Sequence, residues 1–419
     1  MARVSVFTPS HHPRFLDECL RSLQAQTMPD WEWVILLNQG ARWRPEKQDP
    51  RVRVIVRDEV VGVGAAKRHA CEQARAEVLV ELDHDDVLAP QCLERVVAAF
   101  EERPQVGFVF SDTAQITEAG SRDDTRFDPQ AGWRYRDERV GDLDVLAAHG
   151  LAPTPHNDSL IWYAPNHVRA FRRDLYEKVG GYDETLDILD DQDLMCRLYQ
   201  VAEFHHVPEC LYLQRMHPRN TQRDAETNAR IQQRTVELYD RHIEANALAW
   251  AQRSGLLALD LGAAHNKREG YLGVDQYAEP GVDIVADVTK GLDLPDGSVG
   301  VIRAADFLEH IPDKVAIFNE LYRLLAPDGM LLSLTPSTDG RGAFQDPTHV
   351  AFYNENSFWY VTDGDFARFV PEQRCRFQVS RLVTYFPSPW HQQHNIPYVA
   401  ANLIAIKDGS ARNGGPLRI

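Results

Sequence analysis

The chain has 419 residues, of which 43% are hydrophobic and 26% charged, and its formal net charge at pH 7 is −17. Because one domain usually holds roughly 100 to 200 residues, this length predicts two domains. The acidic balance argues against nucleic acid as a partner, since most of the surface would repel a polyanion. No apolar run approaches the roughly 20 residues that a membrane span requires.

The N-terminus starts almost at once with an alternating β pattern at residues 4–7. It shows neither the basic segment nor the long apolar stretch of a secretory signal, so we expect a cytoplasmic protein. The cysteines have no C-x-x-C spacing, which fits reduced packing thiols better than a zinc site or a disulfide framework. They are Cys19, Cys71, Cys92, Cys196, Cys210 and Cys375.

The first part of the chain alternates short β-rich runs with helical stretches such as residues 15–26. The predicted strands are residues 4–8, 33–37, 52–56, 78–82 and 106–110. This alternation predicts a mostly parallel sheet with helices on its faces. Ligands of such sheets bind at the carboxyl ends of the strands. The candidate loops are therefore residues 8–10, 38–40 and 83–86.

A polar, helical stretch at residues 221–254 is predicted to connect a first domain, 1–220, to a second domain, 255–407. Strands at residues 256–259, 271–274, 284–286, 299–303 and 330–334, with a helix at 314–325, are predicted in the second domain. The fold class expected from this pattern is α/β, with two doubly wound, Rossmann-like domains. The glycine-rich residues 408–419 are predicted to form a flexible tail.

Three carboxylates, Asp83, Asp85 and Asp86, follow the predicted strand at 78–82 directly. Such close acidic groups repel one another unless a cation lies between them. Mg²⁺ or Mn²⁺ prefers oxygen ligands and can bridge a carboxylate to a diphosphate. The alternative for this segment is an Asp-rich turn or a helix cap without any ligand.

Five segments stand in the order and spacing of a known family: residues 4–10, 22–26, 82–90, 171–173 and 180–184. On these segments, residues 1 to about 220 resemble the inverting GT-A glycosyltransferases of family 2. The resemblance implies a nucleoside-diphosphate sugar donor, bound near Thr8 and Pro9. It implies that Asp83 contacts the ribose and the metal, and that Asp85 ligates the metal. Lys67 and Arg68 stand where the family has residues near the donor diphosphate.

The family often has two acidic residues after its second strand, where this chain has Asn38 and Gln39. An amide still offers a nucleobase edge one donor and one acceptor, so Asn38 is a candidate donor-binding residue. Its hydrogen-bonding pattern differs from that of a carboxylate. The identity of the base therefore stays open.

An inverting transfer needs a carboxylate that takes the proton from the acceptor hydroxyl. Asp190 and Asp191 are predicted in the first turn of a helix, where the helix dipole favours ionised carboxylates. Helix capping is the alternative role for this pair. By resemblance to the family's Glu-Asp motif, Asp191 is the candidate catalytic base and Asp190 replaces the glutamate.

The segment 214–221 resembles the Arg-x-His segment of the family near the donor diphosphate, which makes His217 a candidate metal or phosphate ligand. An inert surface histidine is the equal alternative. Four further residues lie where such enzymes often shape the acceptor pocket. They are Asn157, Trp162, Tyr163 and His167.

The second domain resembles the class I S-adenosylmethionine-dependent methyltransferases, on the segments 257–264, 271–275, 283–288, 294–299, 307–310, 320–329 and 346–349. The resemblance implies that Gly262 adjoins the methionine part of the cofactor and Asp275 its ribose. It places Asp287 near the adenine and Asp306 in the loop after the fourth strand. Ala264 replaces the second glycine of the usual turn and adds a Cβ there. His310 and His349 are candidates near the acceptor, with structural roles as alternatives.

The leading hypothesis is a bifunctional enzyme that transfers a sugar to a glycan and a methyl group to a sugar. Fusion of the two domains would keep the acceptor near both sites. A second hypothesis makes the C-terminal domain a non-catalytic module that binds acceptor or partner. A third replaces the glycan with another hydroxyl acceptor, such as a protein or small molecule.

Overall fold

The computed structural model describes residues 2–129, 132–160, 165–220 and 224–407. The chain divides into two compact units: a first unit, residues 1–153 and 163–242, and a second unit, residues 154–162 and 243–419. One boundary between the units lies inside the helix Ala225–Arg253, which occupies most of the predicted connector. The predicted tail, 408–419, lies outside the described residues. None of the described helices is both long and apolar enough to span a bilayer.

Two helices of the first unit, Leu16–Gln24 and Cys92–Glu102, are amphipathic. The longest described helix is Ala225–Arg253, in which one boundary between the units lies. The described α-helices in chain order are α1 Leu16–Gln24, α2 Val63–Gln73, α3 Cys92–Glu102, α4 Pro155–Leu160, α5 Arg173–Lys178, α6 Asp190–Val201, α7 Ala225–Arg253, α8 Lys314–Leu324, α9 Gly342–Gln345, α10 Trp359–Thr362, α11 Gly364–Ala367 and α12 Pro389–Gln393.

The first unit is built on a sheet that contains both parallel and antiparallel pairs. Its strands are β1 Val4–Ser10, β2 Trp31–Leu37, β3 Val52–Val56, β4 Val78–Glu81, β5 Val87–Leu88, β6 Val106–Thr117, β7 Tyr135–Val140, β8 Leu143–Ala148, β9 Arg169–Arg172 and β10 Glu203–Met216. The order is β3-β2-β1-β4-β9-β6-β10-β5, and β7 and β8 form a pair beside β6. The expected parallel order holds for β1 to β4, whereas β9 is antiparallel to both of its neighbours.

Both faces of this sheet are covered. Every residue of β2 is buried, as expected for a parallel strand with helices on either side. On one face the core includes Leu20 of α1 and Val96 of α3. On the other face it includes Ala70 of α2 and Leu198 of α6. This packing fixes the carboxyl ends of β1 and β4, where the candidate loops begin.

The second unit has a seven-stranded sheet of order β13-β12-β11-β14-β15-β17-β16. Its strands are β11 Leu257–Leu261, β12 Leu272–Asp275, β13 Ile284–Val285, β14 Val299–Ala305, β15 Leu325–Pro336, β16 Phe377–Tyr385 and β17 Tyr398–Ala405. The first five strands are parallel, and β17 is antiparallel to β15. The strand order reverses between β11 and β14, so a ligand crevice is expected at their carboxyl ends. The short helix α4, which carries Asn157, packs against β15, β16 and β17 of this unit.

Candidate functional site

The acidic loop after β4 presents two of its carboxylates to solvent and buries the third. The side chain of Asp83 is 37% exposed and that of Asp85 is 14% exposed. Asp86 is buried and accepts a hydrogen bond from the backbone N–H of Arg215, at 2.7 Å. Burial and the charges of Asp85 and Asp83 raise the pKa of Asp86 well above its ordinary value. Asp83 and Asp85 are therefore the carboxylates that a ligand can reach.

Arg215, on β10, holds the backbone of this loop in place. It is fully buried, and its Nε donates to the carbonyl of Asp85 at 2.8 Å. One of its terminal nitrogens donates to the carbonyl of Glu118 at 2.9 Å. Since a buried guanidinium needs partners for all its donors, these contacts fix the path of the loop. The side chain of Arg215 acts on the site through the loop backbone.

His217 contacts Asp85, but as a hydrogen-bond donor. The backbone N–H of Arg219 donates to Nδ1 of His217 at 3.1 Å, so Nδ1 is an acceptor and the ring proton lies on Nε2. Nε2 lies 2.8 Å from Oδ2 of Asp85 and donates to it. The nitrogen that faces the carboxylate carries the proton in this arrangement, and ligation of a metal by His217 stays a prediction. In this arrangement His217 orients Asp85.

Asp83 lies beside a buried histidine. Its Oδ2 is 3.7 Å from Nε2 of His167, and its backbone N–H donates to the hydroxyl of Tyr212 at 3.1 Å. The ring of His167 stacks on that of Tyr212, with 4.1 Å between the centroids. The surrounding protein removes water from the carboxylate of Asp83, and this desolvation, together with the charge of Glu81, raises the pKa of Asp83 to about 7. A cation bound here would favour the ionised form.

The candidate base, Asp191, lies in the first turn of α6 and is paired with Arg169 of β9. The guanidinium of Arg169 lies 2.7 Å from Oδ2 of Asp191, and the backbone N–H of Gln192 donates to Oδ1 at 2.8 Å. Burial acts to raise the pKa of Asp191, but Arg169 and Lys67 outweigh it and hold the pKa below its ordinary value. The carboxylate is therefore ionised at neutral pH, and 22% of its side chain is exposed.

Behind Asp191 lies a buried cluster of charges around Glu81. Glu81 and Arg169 are register partners on β4 and β9, and their side chains are 3.2 Å apart. The ammonium group of Lys67 lies 2.7 Å from Glu81 and 3.0 Å from Asp190. Burial alone would raise the pKa of Glu81, yet Lys67 and Arg169 lower it to about 2. Burial raises the pKa of Asp190 to about 6 despite the attraction of Lys67.

Several residues expected to contact the donor are engaged inside the protein. The hydroxyl of Thr8 donates to the carbonyl of Leu82 at 2.7 Å, and Thr8 is fully buried. The amide nitrogen of Asn38 donates to the carbonyl of Val60 at 2.9 Å. Lys67 is held by the two carboxylates described above. These three side chains support the loops at the carboxyl ends of the strands.

Arg68 and Pro9 complete the residues expected near the donor. Arg68 donates to the carbonyls of Gly180 and Tyr182, at 2.7 and 2.9 Å. Pro9 is partly exposed at the end of β1. Of the residues expected near the acceptor, His167 lies beside Asp83, and Trp162 and Tyr163 lie outside the described residues.

Sequence reasoning assigned no site role to Glu81, Arg169 or Arg215. Glu81 and Arg169 have buried neighbours on their strands, and Arg215 is itself fully buried. A charged residue inside a buried strand needs a partner of opposite charge, and this requirement was the available signal. The identity of the partner follows from the register of β4 and β9, which the sequence does not display.

In the second unit, the turn after β11 has the tight geometry expected of a cofactor loop. Gly262 has a φ of +68°, and a Cβ at this position would lie 3.0 Å from the ring of Phe307. Ala264 has a φ of +33°, a conformation that glycine adopts at lower cost. At the end of β12, Asp275 is partly exposed and accepts the backbone N–H of Tyr277 at 3.1 Å.

The two remaining acidic candidates follow β13 and β14. Asp287 accepts hydrogen bonds from the backbone and the hydroxyl of Thr289, and its other oxygen pairs with Lys290 at 3.2 Å. Asp306 is exposed, has a φ of +50°, and accepts the hydroxyl of Tyr398 at 2.9 Å. Gly262, Asp275, Asp287 and Asp306 thus follow four strands at the carboxyl edge of one sheet.

Family models match both parts of the chain. Residues 5–180 match the model described as Glycosyl transferase family 2, and residues 246–333 match the model described as Methyltransferase domain. These matches confirm the two resemblances and the α/β fold class expected from the sequence.

Among curated relatives, the chain is 30% identical over 229 residues to the uncharacterized protein y4gI of Sinorhizobium fredii. It is 25% identical over 219 residues to the O-antigen biosynthesis protein RfbC of Myxococcus xanthus and 23% identical over 227 residues to the chondroitin synthase of Escherichia coli. These matches span 51%, 50% and 52% of this chain, and 22%, 15% and 29% of the respective relatives. The chain thus covers less than a third of the length of each.

Proposed function

We propose, from the premise that residues 5–180 form a family 2 glycosyltransferase domain and residues 246–333 a methyltransferase domain, that the first unit transfers a sugar with inversion. The sugar passes from a nucleoside diphosphate to an acceptor hydroxyl. One observation carries this proposal. Arg169 lies between the strand that leads to Asp83 and Asp85 and the ionised carboxylate of Asp191.

A divalent cation suits the acidic loop of this unit. Asp83 and Asp85 offer partly exposed carboxylate oxygens, which are the ligands that Mg²⁺ and Mn²⁺ prefer. Such an ion neutralises charge that develops on a leaving diphosphate. His217 then fixes the orientation of Asp85 by its hydrogen bond. Replacement of a residue that hydrogen-bonds to a metal ligand typically lowers the metal affinity by about 10–100-fold.

In the proposed transfer, Asp191 takes the proton of the acceptor hydroxyl. The acceptor oxygen forms a bond to the anomeric carbon while the bond from that carbon to the diphosphate oxygen breaks on the opposite face. Arg169 holds one oxygen of Asp191 and keeps the carboxylate ionised before the acceptor arrives. Position and protonation state are the two properties that a general base requires.

The residues first expected near the donor divide into two groups in this proposal. Pro9, Asp83 and Asp85 contact the donor or its metal. Thr8, Asn38, Lys67, Arg68 and His217 position the loops and carboxylates that do so. The nucleobase stays unassigned, because the amide nitrogen of Asn38 already donates a hydrogen bond to the carbonyl of Val60.

A glycan is the proposed acceptor of the sugar. Two relatives are named for glycan chemistry, an O-antigen biosynthesis protein and a chondroitin synthase. The alternative is another acceptor that carries a hydroxyl group.

For the second unit we propose methyl transfer from S-adenosylmethionine. The turn at Gly262 and the acidic residues Asp275, Asp287 and Asp306 follow four strands around the reversal of strand order. In such crevices a carboxylate accepts the ribose hydroxyls, and glycine lets the backbone approach the cofactor. The alternative is a non-catalytic module. It would apply if the Cβ of Ala264, in a turn with a φ of +33°, blocks the approach of the cofactor.

A binding experiment tests both parts of this proposal. Nucleoside diphosphates are screened with Mn²⁺ by calorimetry, and S-adenosylhomocysteine is titrated separately. We expect at least one nucleotide to bind only with the metal, and S-adenosylhomocysteine to bind without it. A second unit that binds no S-adenosylhomocysteine is a non-catalytic module, and a first unit that binds no nucleotide contradicts the glycosyltransferase proposal.

A further inference from the structure

Two histidines and a glutamate come together in the second unit, outside the residues assigned to the cofactor. Glu309 and His310 follow β14, and His349 follows β15 and α9. One ligand atom from each lies within 4.8 Å of the others. Both loops therefore reach the carboxyl edge of the sheet beside the reversal of strand order.

The hydrogen bonds of His310 fix its tautomer. Nδ1 of His310 lies 3.2 Å from the carbonyl and 3.2 Å from the hydroxyl of Thr348. The hydroxyl of Thr348 already donates to Asp346 at 2.6 Å, so both oxygens of Thr348 accept from His310. The ring proton therefore lies on Nδ1. Nε2 of the exposed His310 has a free lone pair.

His349 has the same arrangement. Its Nδ1 lies 3.0 Å from the carbonyl of Ala343, and a carbonyl can only accept, so the proton is on Nδ1 and the lone pair on Nε2. Histidines that bind metals usually donate their other ring nitrogen to a carbonyl or carboxylate in this way. The two rings lie at 71° to each other, with 5.1 Å between centroids.

Glu309 supplies an oxygen with no hydrogen-bond partner among the described residues. It is 2% exposed; Oε2 accepts the hydroxyl of Thr335 at 2.7 Å, whereas Oε1 is buried without a partner. A buried, unpartnered carboxylate oxygen is costly and calls for a ligand. The carbonyl of Glu309 accepts the backbone N–H groups of Val350 and Ala351, which fastens the loop of His349 to it.

We propose that Glu309, His310 and His349 bind a late first-row divalent cation such as Zn²⁺. Two imidazoles and one carboxylate are a common ligand set for this class of ion and leave a fourth position for water or a hydroxyl. The site stands independently of methyl transfer.

A comparable cluster of one carboxylate and two histidines, in the first unit, is not suited to bind a cation. Asp112 lies close to His149 and His206, also within 4.8 Å. However, Oδ1 of Asp112 contacts His206 at 2.6 Å and Gly150 N–H at 2.7 Å, and its other oxygen pairs with Arg136. Both oxygens are already engaged, and the guanidinium would repel a cation. Glu309 has no such competitor on Oε1 among the described residues.

Metal binding to the full chain tests this proposal. Because the acidic loop of the first unit also attracts cations, the Asp85→Ala variant serves as the background. Equilibrium dialysis against Co²⁺, with metal analysis and the visible absorption spectrum, measures stoichiometry and affinity. We expect one bound Co²⁺ with nitrogen ligation in this background. We expect at least a tenfold loss of affinity when His310→Ala or Glu309→Gln is added.

His394→Ala is the matched control. Nδ1 of the partly exposed His394 also contacts a carbonyl, that of Trp390 at 2.7 Å, but His394 does not belong to the cluster of Glu309, His310 and His349. This variant should bind Co²⁺ like the background. His310 is exposed, so its replacement should leave the circular dichroism spectrum unchanged. Absence of Co²⁺ binding in the background, or equal affinity in the His310→Ala variant, overturns the proposal.

Discussion

In the first unit, Glu81 ends β4 and meets two buried cations, Lys67 and Arg169. In the second unit, Glu309 follows β14 at a similar edge of its sheet, yet its Oε1 has no described partner. Both glutamates are almost fully buried. The first is neutralised by the protein itself, whereas the second is left to be satisfied by a ligand. A buried carboxylate therefore indicates a ligand-binding site only when the protein itself supplies no cation or hydrogen-bond donor to it.

The largest expected effect is that of Asp191→Asn on sugar transfer. The amide keeps the shape of the side chain but cannot accept the proton, so the rate should fall by about 10²–10⁴-fold while donor affinity stays nearly constant. Release of nucleoside diphosphate and calorimetry measure the two quantities. Asp187→Asn, at an exposed pair with Arg230, is the control. Wild-type turnover by the Asp191 variant would refute its role as the base.

Glu81→Gln compared with Glu309→Gln tests the contrast between the two glutamates directly. Glu81→Gln leaves two buried cations without their shared carboxylate and should lower the free energy of unfolding by about 3–5 kcal/mol. Glu309→Gln, measured in EDTA, weakens one hydrogen bond and should cost about 1 kcal/mol. Urea unfolding followed by fluorescence measures both. Equal losses would show that the second unit also neutralises its glutamate internally.

Acid should weaken the first unit through the same glutamate. The pKa of Glu81 is about 2 in the folded protein, below the ordinary 4.5, so its stabilising contribution is present above pH 4.5 and disappears as pH falls through about 2. Unfolding measured from pH 7 to pH 2 should therefore bring the wild type and the Glu81→Gln variant together at low pH. A stability gap that does not change with pH would contradict the assignment of charge.

Asp85→Ala and His217→Gln separate a metal ligand from the residue that orients it. We expect the Asp85 variant to lose Mn²⁺-dependent nucleotide binding. The His217 variant should keep it with about 10–100-fold weaker Mn²⁺ affinity. Calorimetric titration with Mn²⁺ at fixed nucleotide gives both values. Equal losses would indicate that His217 ligates the metal, as the sequence first suggested.

The smallest effect is expected at Ala264. Its φ of +33° is strained for alanine, so Ala264→Gly removes strain and the Cβ together. We expect S-adenosylhomocysteine affinity to stay equal or to rise by a few-fold in calorimetry. Weaker binding by the glycine variant would show that the alanine side chain contributes to the cofactor site.

Much of the fold was predictable because parallel strands form continuous apolar runs between breaks. The predicted strands at 52–56 and 78–82 agree with β3 and β4 within one residue. The strand β9 was not predicted, because it has only two apolar residues and these lie between Arg169 and Arg172. A helix with Asp190 and Asp191 in its first turn was predicted from the pattern of residues 193–197, and the structure confirms it.

The candidate site was less predictable than the fold, because its interactions depend on register. The sequence indicated Asp83, Asp85 and Asp191 as chemical groups. It did not reveal that Arg169 pairs with Asp191, or that the proton of His217 faces Asp85. Those relations arise where β4, β9 and β10 bring residues far apart in the chain into contact.

The most direct test of the central claim is nucleotide binding with and without metal. Calorimetry of the wild-type chain with a panel of nucleoside diphosphates should show binding of at least one in Mn²⁺ and none in EDTA. The Asp85→Ala variant should bind none in either condition. Binding that persists in EDTA, or no binding of any nucleoside diphosphate in Mn²⁺, would contradict a metal-dependent donor site in the first unit.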